Sequence, residues 1–284
     1  MYGPGVTSAS KSVLLEVMTA LRAYREALIL VGGWVPALLL EREQPREDPF
    51  VHVGSIDIDL AVDPSMVREP EYATIVELLQ ERGFRAAADQ RGRPIPNSLE
   101  RTVPSPATHK PYTIRVDFLT RPDASNAGRH VAVQDSLFAR KVKGCEAAFA
   151  HWRTVDVTGV LPEGGELTVP MRMADLVAIL TMKGIVLGER YREKDAYDIY
   201  ALVKHYRQGP RDVAEALAPS CEEPLLRESL ACIQAAFGKR EANGPAWAAA
   251  FLIHPRFSAE HQRLVTDAFM VVGEWLRLLQ PAII

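Results

Sequence analysis

The sequence predicts an α/β (α+β) domain built on a mixed sheet over residues 1–170, followed by an all-helical domain over residues 171–284. Three observations carry that division. Segments such as GSIDIDLAVD (residues 54–63) and TIRVDFLT (residues 113–120) alternate apolar with polar residues, the period of a strand. Segments between them, residues 9–27 among others, repeat apolar residues at helical spacing. From Met171 onward, leucine- and alanine-rich helical periodicity dominates to the C-terminus.

Residues 9–27 read as a helix, with Ser8 or Ser10 as cap and Val13, Leu14, Val17, Leu21 and Tyr24 on its apolar face. ALILVGG follows as a short apolar strand ending at Gly32 and Gly33, and WVPALLLE opens a second helix that tolerates Pro36 in its first turn. EREQPREDPF reads as a charged loop, GSIDIDLAVD as a strand, and Tyr72 to Arg82 as an amphipathic helix stopped by Gly83. Residues 88–111, rich in Pro, Arg and Ser, read as a long loop or a poor hairpin. Gln134 to Trp152 is expected to contain a helix bearing Arg140, Lys141 and Lys143. TVDVTGVLPEGGELTVP reads as two short strands joined through Pro-Glu-Gly-Gly. In the helical half, breaks are expected at Gly209-Pro210, Ser220, Asn243-Gly244-Pro245 and His254-Pro255.

The 284 residues carry a formal charge of -3, which argues against a generally basic protein that coats nucleic acid. The 3 cysteines, Cys145, Cys221 and Cys232, form no CxxC pair, which argues against a zinc ribbon or disulfide scaffold and for a reducing compartment. The N-terminus lacks a basic segment followed by an apolar run, and no stretch approaches the ~20 apolar residues of a membrane span. A cytoplasmic protein without membrane partners is the expectation. The histidines do not group as in HExxH, so a zinc hydrolase is not indicated.

The chemistry concentrates in GSIDIDLAVD. On a strand, Asp57 and Asp59 point the same way. Two ionised carboxylates side by side repel, and a divalent cation removes the conflict; Mg²⁺ takes one or two carboxylates together with water and substrate phosphates. Asp117 of TIRVDFLT shares a face with Arg115 and Leu119, and on a neighbouring strand it would complete a three-carboxylate cluster as metal ligand and as base toward an attacking hydroxyl. Gly32 and Gly33, between a strand and a helix, let backbone N–H groups approach an anion, and Ser55 can donate to a phosphate oxygen. Neither a Walker A sequence nor GxGxxG is present.

Gly-Gly after a strand, then Gly-Ser-x-Asp-x-Asp, then a strand Asp resembles the nucleotidyltransferase fold of the DNA polymerase β superfamily, over roughly residues 25–120. MKGIVLGERYREKDAYDIYAL, residues 182–202, looks like the AbiEii/AbiGii-type nucleotidyltransferases, a family rich in toxins of toxin–antitoxin and phage-defence systems. The resemblance implies that Gly32, Gly33 and Ser55 bind nucleotide phosphates, that Asp57 and Asp59 bind Mg²⁺ (or Mn²⁺) with Asp117 as third carboxylate, that Lys183 reaches the triphosphate, and that Asp195 and Asp198 line the site from the helical domain. It differs from the family pattern in the long stretch between Gly33 and Asp57, which includes EREQPREDPFVHV.

Plainer readings stand beside these. Gly32-Gly33 also suits a tight turn. Lys194 and Asp198 also suit an i,i+4 surface pair, and Lys183 a lysine reaching past apolar neighbours to solvent. Arg91, Arg93, Arg101 and Lys110 suit a solvated loop or a grip on a polyanionic acceptor. The expected reaction is transfer of NMP from an NTP to an acceptor hydroxyl, with RNA (a tRNA end) as acceptor and an antitoxin as a further partner. A small-molecule acceptor such as an antibiotic, or a degenerate, non-catalytic binding module, are the alternatives.

Overall fold

The computed structural model describes residues 3–45, 47, 49–67, 73–123, 128–189, 193–253 and 258–283. By contacts the chain divides into two compact units, the first comprising Met1–Val35 and Val53–Ala174, the second Pro36–His52 and Asp175–Ile284. The first is a mixed sheet with helices and the second is helical.

The first unit opens with helix α1 (Pro4–Ala20), whose Val13, Leu14 and Val17 are fully buried. The helix starts ahead of the serines expected to cap it: its N-cap is Gly3, with a proline in the first turn whose fixed φ is already helical. Ser10 instead lies inside, accepting a hydrogen bond from Trp34 Nε1 at 2.9 Å.

Among the described residues nine strands form one sheet, in the order β3-β4-β5-β2-β1-β9-β8, with β6 and β7 attached beside β5. They are β1 (Leu28–Val31), β2 (Ile58–Val62), β3 (Arg85–Ala88), β4 (Pro94–Pro104), β5 (Pro111–Thr120), β6 (His130–Gln134), β7 (Leu137–Lys141), β8 (Trp152–Val160) and β9 (Glu166–Ala174). β1 is antiparallel to β2 and parallel to β9, while β2 is parallel to β5, so the centre of the sheet is mixed. Helix α2 (Trp34–Glu43) follows β1, α3 (Ile75–Gln80) precedes β3, and α4 (Glu146–Ala150) precedes β8. Thr74 and Glu77 form a capping box on α3, and Gly83 follows that helix at φ +81°. Tyr72, the expected start of that helix, lies outside the described residues.

Two stretches differ from their sequence reading. Residues 94–104, read as loop or poor hairpin, are the long strand β4, paired with β3 and β5. Its inner face holds Arg101, ion-paired to Glu16 of α1, and that inward charge breaks the apolar alternation a half-buried strand normally shows. The segment expected to hold a helix with Arg140 and Lys141 is instead the hairpin β6–β7 followed by the short α4. Alanine, lysine and arginine favour helix locally, but Leu137 and Ala139 alternate into the core and the pairing of β7 with β5 prevails.

In the second unit, helices α5 (Leu176–Glu189), α6 (Glu193–His205), α7 (Pro210–Leu217), α8 (Pro224–Phe237), α9 (Asn243–Leu252) and α10 (Ala259–Ile283) pack around Tyr197, Ile233, Phe237 and Trp275. α5 is apolar nearly all round and is the buried centre. A Cβ on Gly184 would lie 2.0 Å from Ser229 Oγ, so α5 and α8 approach more closely there than any side chain permits. At the break expected around Asn243-Gly244-Pro245, α8 has ended at Phe237 and these residues open α9. The break expected at His254-Pro255 lies outside the described residues. No helix among the described residues is long and apolar enough to cross a membrane.

Candidate active site

Strand register builds the acidic site of the first unit. Val31 pairs with Asp59 across β1–β2, and Asp59 pairs with Asp117 across the parallel β2–β5 ladder. Residues paired in register point to the same side of a sheet, so Asp59 and Asp117 are neighbours on one face. Asp57 sits in the bend just ahead of β2, not on the strand as the alternation suggested, and is exposed. Its charge still reaches Asp117: burial first, and then the Asp57 carboxylate, push the Asp117 carboxyl up to about 6, against the opposing charges of Arg115 and Arg140. Ser98, in register with Asp117 across β4–β5, donates its hydroxyl to Asp117 Oδ1.

The glycine pair has a steric reason in this arrangement. Gly32 adopts φ +70°, and a Cβ there would fall 2.0 Å from Asp59 Oδ2, so the carboxylate rests on the glycine backbone. An L-residue at position 32 would be strained in backbone and would displace Asp59. Gly33 completes the turn into α2 and is buried, as is Ser55, which precedes the bend at Asp57. The long stretch between Gly33 and Asp57 does not part the two motifs. The chain leaves the first unit after Val35 and returns at Val53, while β1 and β2 stay paired.

The donor set of Asp57, Asp59 and Asp117 offers only oxygen, which suits a hard divalent cation. Among the described residues, no three or more His, Cys, Asp or Glu side chains form a group able to hold a metal ion, so these aspartates are not a ready-made three-ligand cluster. A cation here would draw part of its coordination from phosphate or water oxygens, the usual habit of Mg²⁺.

The other expected residues, Lys183, Asp195 and Asp198, come together within the second unit. Lys183 on α5 places Nζ 2.6 Å from Asp195 Oδ1 and 2.7 Å from Asp198 Oδ2 on α6. Lys194 also pairs with Asp198, and His52 Nε2 lies 3.0 Å from Asp198 Oδ1. Asp198 is 0% exposed and Lys183 is 7% exposed, so neither the surface-pair reading nor the reading of a lysine reaching solvent describes them. Burial alone would raise the Asp198 carboxyl, but Lys183 and Lys194 outweigh it and hold the group far below the usual range. Burial brings Lys194 down to about 8 and lowers His52, whereas at Lys183 the two carboxylates overcome burial and raise the ammonium. An aromatic stack continues the network: His52 lies 4.9 Å from the Tyr197 ring, and Tyr197 4.8 Å from Phe251. It fastens residues 50–52 to α6 and α9, with Phe50 stacked on His205 at 3.9 Å.

Sequence reasoning identified Arg115 on the face of Asp117 but missed Ser98 and Arg140 as its neighbours. Their proximity follows from the pairings β4–β5 and β5–β7, and both partner segments had been read as something other than strands.

No protein-family model matches the chain. No curated protein matches it either. Solved structures resemble it over most of its length at low identity. JHP933 from Helicobacter pylori is 12% identical, with a TM-score of 0.40, covering 96% of this chain and 93% of that one. An antigenic nucleotidyltransferase-like protein from Paracoccidioides brasiliensis is 13% identical, with a TM-score of 0.39, covering 82% of this chain and 89% of its own. MenT4, a nucleotidyltransferase toxin from Mycobacterium tuberculosis, is 17% identical, with a TM-score of 0.33, covering 96% of this chain and 94% of its own.

Proposed function

We propose that the chain is a Mg²⁺-dependent nucleotidyltransferase that moves NMP from an NTP to an acceptor hydroxyl. The observation that carries this reading is the packing of Asp59 against Gly32 on one side and beside Asp117 on the other. It joins a backbone turn suited to phosphate with carboxylates suited to a cation. Asp57 and Asp59 would hold the ion, which when bound neutralises phosphate charge. Gly32, Gly33 and Ser55 would lie along the phosphates.

The acceptor oxygen attacks the α-phosphorus in line, the new P–O bond forms as the bond to the β-phosphate oxygen breaks, and pyrophosphate leaves. Asp117 takes the acceptor proton. Burial raises the Asp117 carboxyl above its ordinary value, which favours its taking a proton. Ser98 holds one Asp117 oxygen through its hydrogen bond and leaves the other for the proton. Lys183 is engaged by Asp195 and Asp198 in this structure, so the reading leans on Asp57, Asp59 and Asp117.

The acceptor we propose is RNA, a tRNA end, with a role of the toxin or phage-defence type and an antitoxin protein as partner; the motif resemblance in the sequence supports these finer assignments. Incubation with total tRNA, Mg²⁺ and each labelled NTP in turn tests them. Label on tRNA from one NTP, lost in Asp59→Asn, is the expected result. Label on a small molecule alone overturns the RNA acceptor, and no transfer to any acceptor overturns the reaction.

A further inference from the structure

From the glycine turn outward the sheet runs β1-β2-β5-β7-β6, because β7 pairs with β5 on the edge opposite β2. Strand β4 holds that edge up to Asp117, and β7 takes it over at Leu119 and Thr120. Leu119 pairs with Arg140 and lies two residues after Asp117, so Arg140 shares the face that carries Asp59 and Asp117. Along β7, Leu137 and Ala139 are buried on the inner side, while Phe138 and Arg140 alternate to the outer one. Phe138 is 38% exposed, and its partner across β6–β7 is Ala132, a small side chain that covers little of the ring. The charge of Arg140 reaches Asp117, and its Nε is buried without a hydrogen bond among the described residues. Guanidinium nitrogens of Arg153 are buried too, but Arg153 is on β8, which β9, β1 and β2 separate from β5. Place in the sheet, beside Asp117 and next to an exposed aromatic ring, singles out Arg140.

In-line displacement puts the attacking oxygen and the departing pyrophosphate on opposite sides of the α-phosphorus. With the phosphates along Gly32, Gly33 and Ser55 and the proton taken at Asp117, the acceptor comes from the β7 side. We propose that Phe138 and Arg140 form the acceptor platform of this site and take the single-stranded end of an RNA: a base stacks on Phe138, and Arg140 holds a backbone phosphate beside the attacking hydroxyl. The inference rests on the nucleotidyl-transfer reading and adds to it the surface that receives the acceptor. An exposed ring beside a guanidinium matches a single strand, which offers a π-face and a phosphate at each nucleotide, whereas duplex bases are already stacked on one another. Two basic residues of the stretch that suited a grip on a polyanion are matched within the protein instead: Arg93 pairs with Asp89 at 2.7 Å, and Arg101 with Glu16.

The test is fluorescence anisotropy of an end-labelled, single-stranded oligoribonucleotide with a free terminal hydroxyl, and of the same sequence as a blunt duplex, titrated with the full chain at several salt concentrations. Phe138→Ala, Phe138→Tyr, Arg140→Gln, Arg93→Gln and Val160→Ala are compared with wild type, the last trimming a side chain that is 44% exposed on β8. Thermal melting checks that each variant is folded. We expect Phe138→Ala to weaken the single strand about 5- to 100-fold, with Phe138→Tyr near wild type. Arg140→Gln should weaken it about 10-fold and lower the salt slope by about 0.7, the share of one phosphate contact. Arg93→Gln and Val160→Ala should bind as wild type. In the transfer assay Phe138→Ala and Arg140→Gln should raise KM for the RNA and leave KM for NTP unchanged. Binding equal to wild type in both variants, tighter binding of the duplex, no RNA binding by wild type, or a raised KM for NTP alone would overturn the proposal. Weakening by Arg93→Gln alone would also overturn it, moving the grip to the β3–β4 hairpin. RNA binding through Phe138 and Arg140 without label transfer would keep the platform and remove the nucleotidyl-transfer reading. Label transfer to RNA at the wild-type KM in both variants would do the reverse.

Discussion

The two units each gather aspartates, and they treat them in opposite ways. In the second unit Asp198 is fully buried and ringed by Lys183, Lys194 and His52, so its carboxyl is held far below the usual range. In the first unit Asp57 is exposed, Asp59 and Asp117 are half-buried, and Asp117 is pushed up to about 6. Countercharge built into the protein marks a group that serves the fold. At Asp117, burial and the nearby Asp57 charge outweigh Arg115 and Arg140, and unfavourable energy of that kind is relieved by a cation or a proton, as is common at working sites.

The largest effect on stability is expected from Asp198→Ala. It leaves buried cations short of their carboxylate, and urea unfolding should show a loss of about 3–5 kcal/mol. A variant as stable as wild type would mean that the network is not what holds α5, α6 and residues 50–52 together. Next comes Gly32→Ala, where a strained φ and the clash with Asp59 should cost about 1–3 kcal/mol by the same measurement. A neutral result would show that Asp59 does not rest on the glycine.

The two units should also differ in the sign of their pH dependence. The folded pKa of Asp117 is raised, so its contribution is present below the unfolded value and is lost as pH rises from about 4 to about 6. Asp117→Asn should remove that decline. The folded pKa of His52 is lowered, so its contribution is present above about 6.5 and is lost as pH falls through the folded value. His52→Gln should flatten stability on that side alone. Difference curves of unfolding free energy against pH, variant minus wild type, read each sign separately; the same sign from both variants would break the contrast. The smallest effect is expected at the rim of the second unit. Arg207 is 52% exposed where it meets Glu43, and Glu43→Gln should change stability by less than about 1 kcal/mol.

Much of this was legible in the sequence because it depends on local period. The strands around Ile58 and Val116, the glycine turn at residue 32, the β8–β9 hairpin and the helices from Leu176 onward follow from alternation, glycine placement and apolar repeats. What stayed hidden depends on partners distant in the chain. Arg101 makes β4 read as loop because its carboxylate partner, Glu16, is on α1. Arg140 reads as helical because nothing nearby announces that its segment pairs with Leu119. The burial of Lys183 and Asp198 is likewise a product of helix packing, since a lysine and an aspartate in a helix read equally well as surface residues.

The most direct test sets Asp59→Asn against Asp198→Asn in one pair of assays, melting temperature and transfer of labelled nucleotide to tRNA. Asp59→Asn, an isosteric change, should fold and melt close to the wild-type temperature, while transfer falls by at least about 100-fold. Asp198→Asn should melt well below wild type. Unimpaired transfer by a folded Asp59→Asn protein would contradict the assignment of the sheet carboxylates to chemistry.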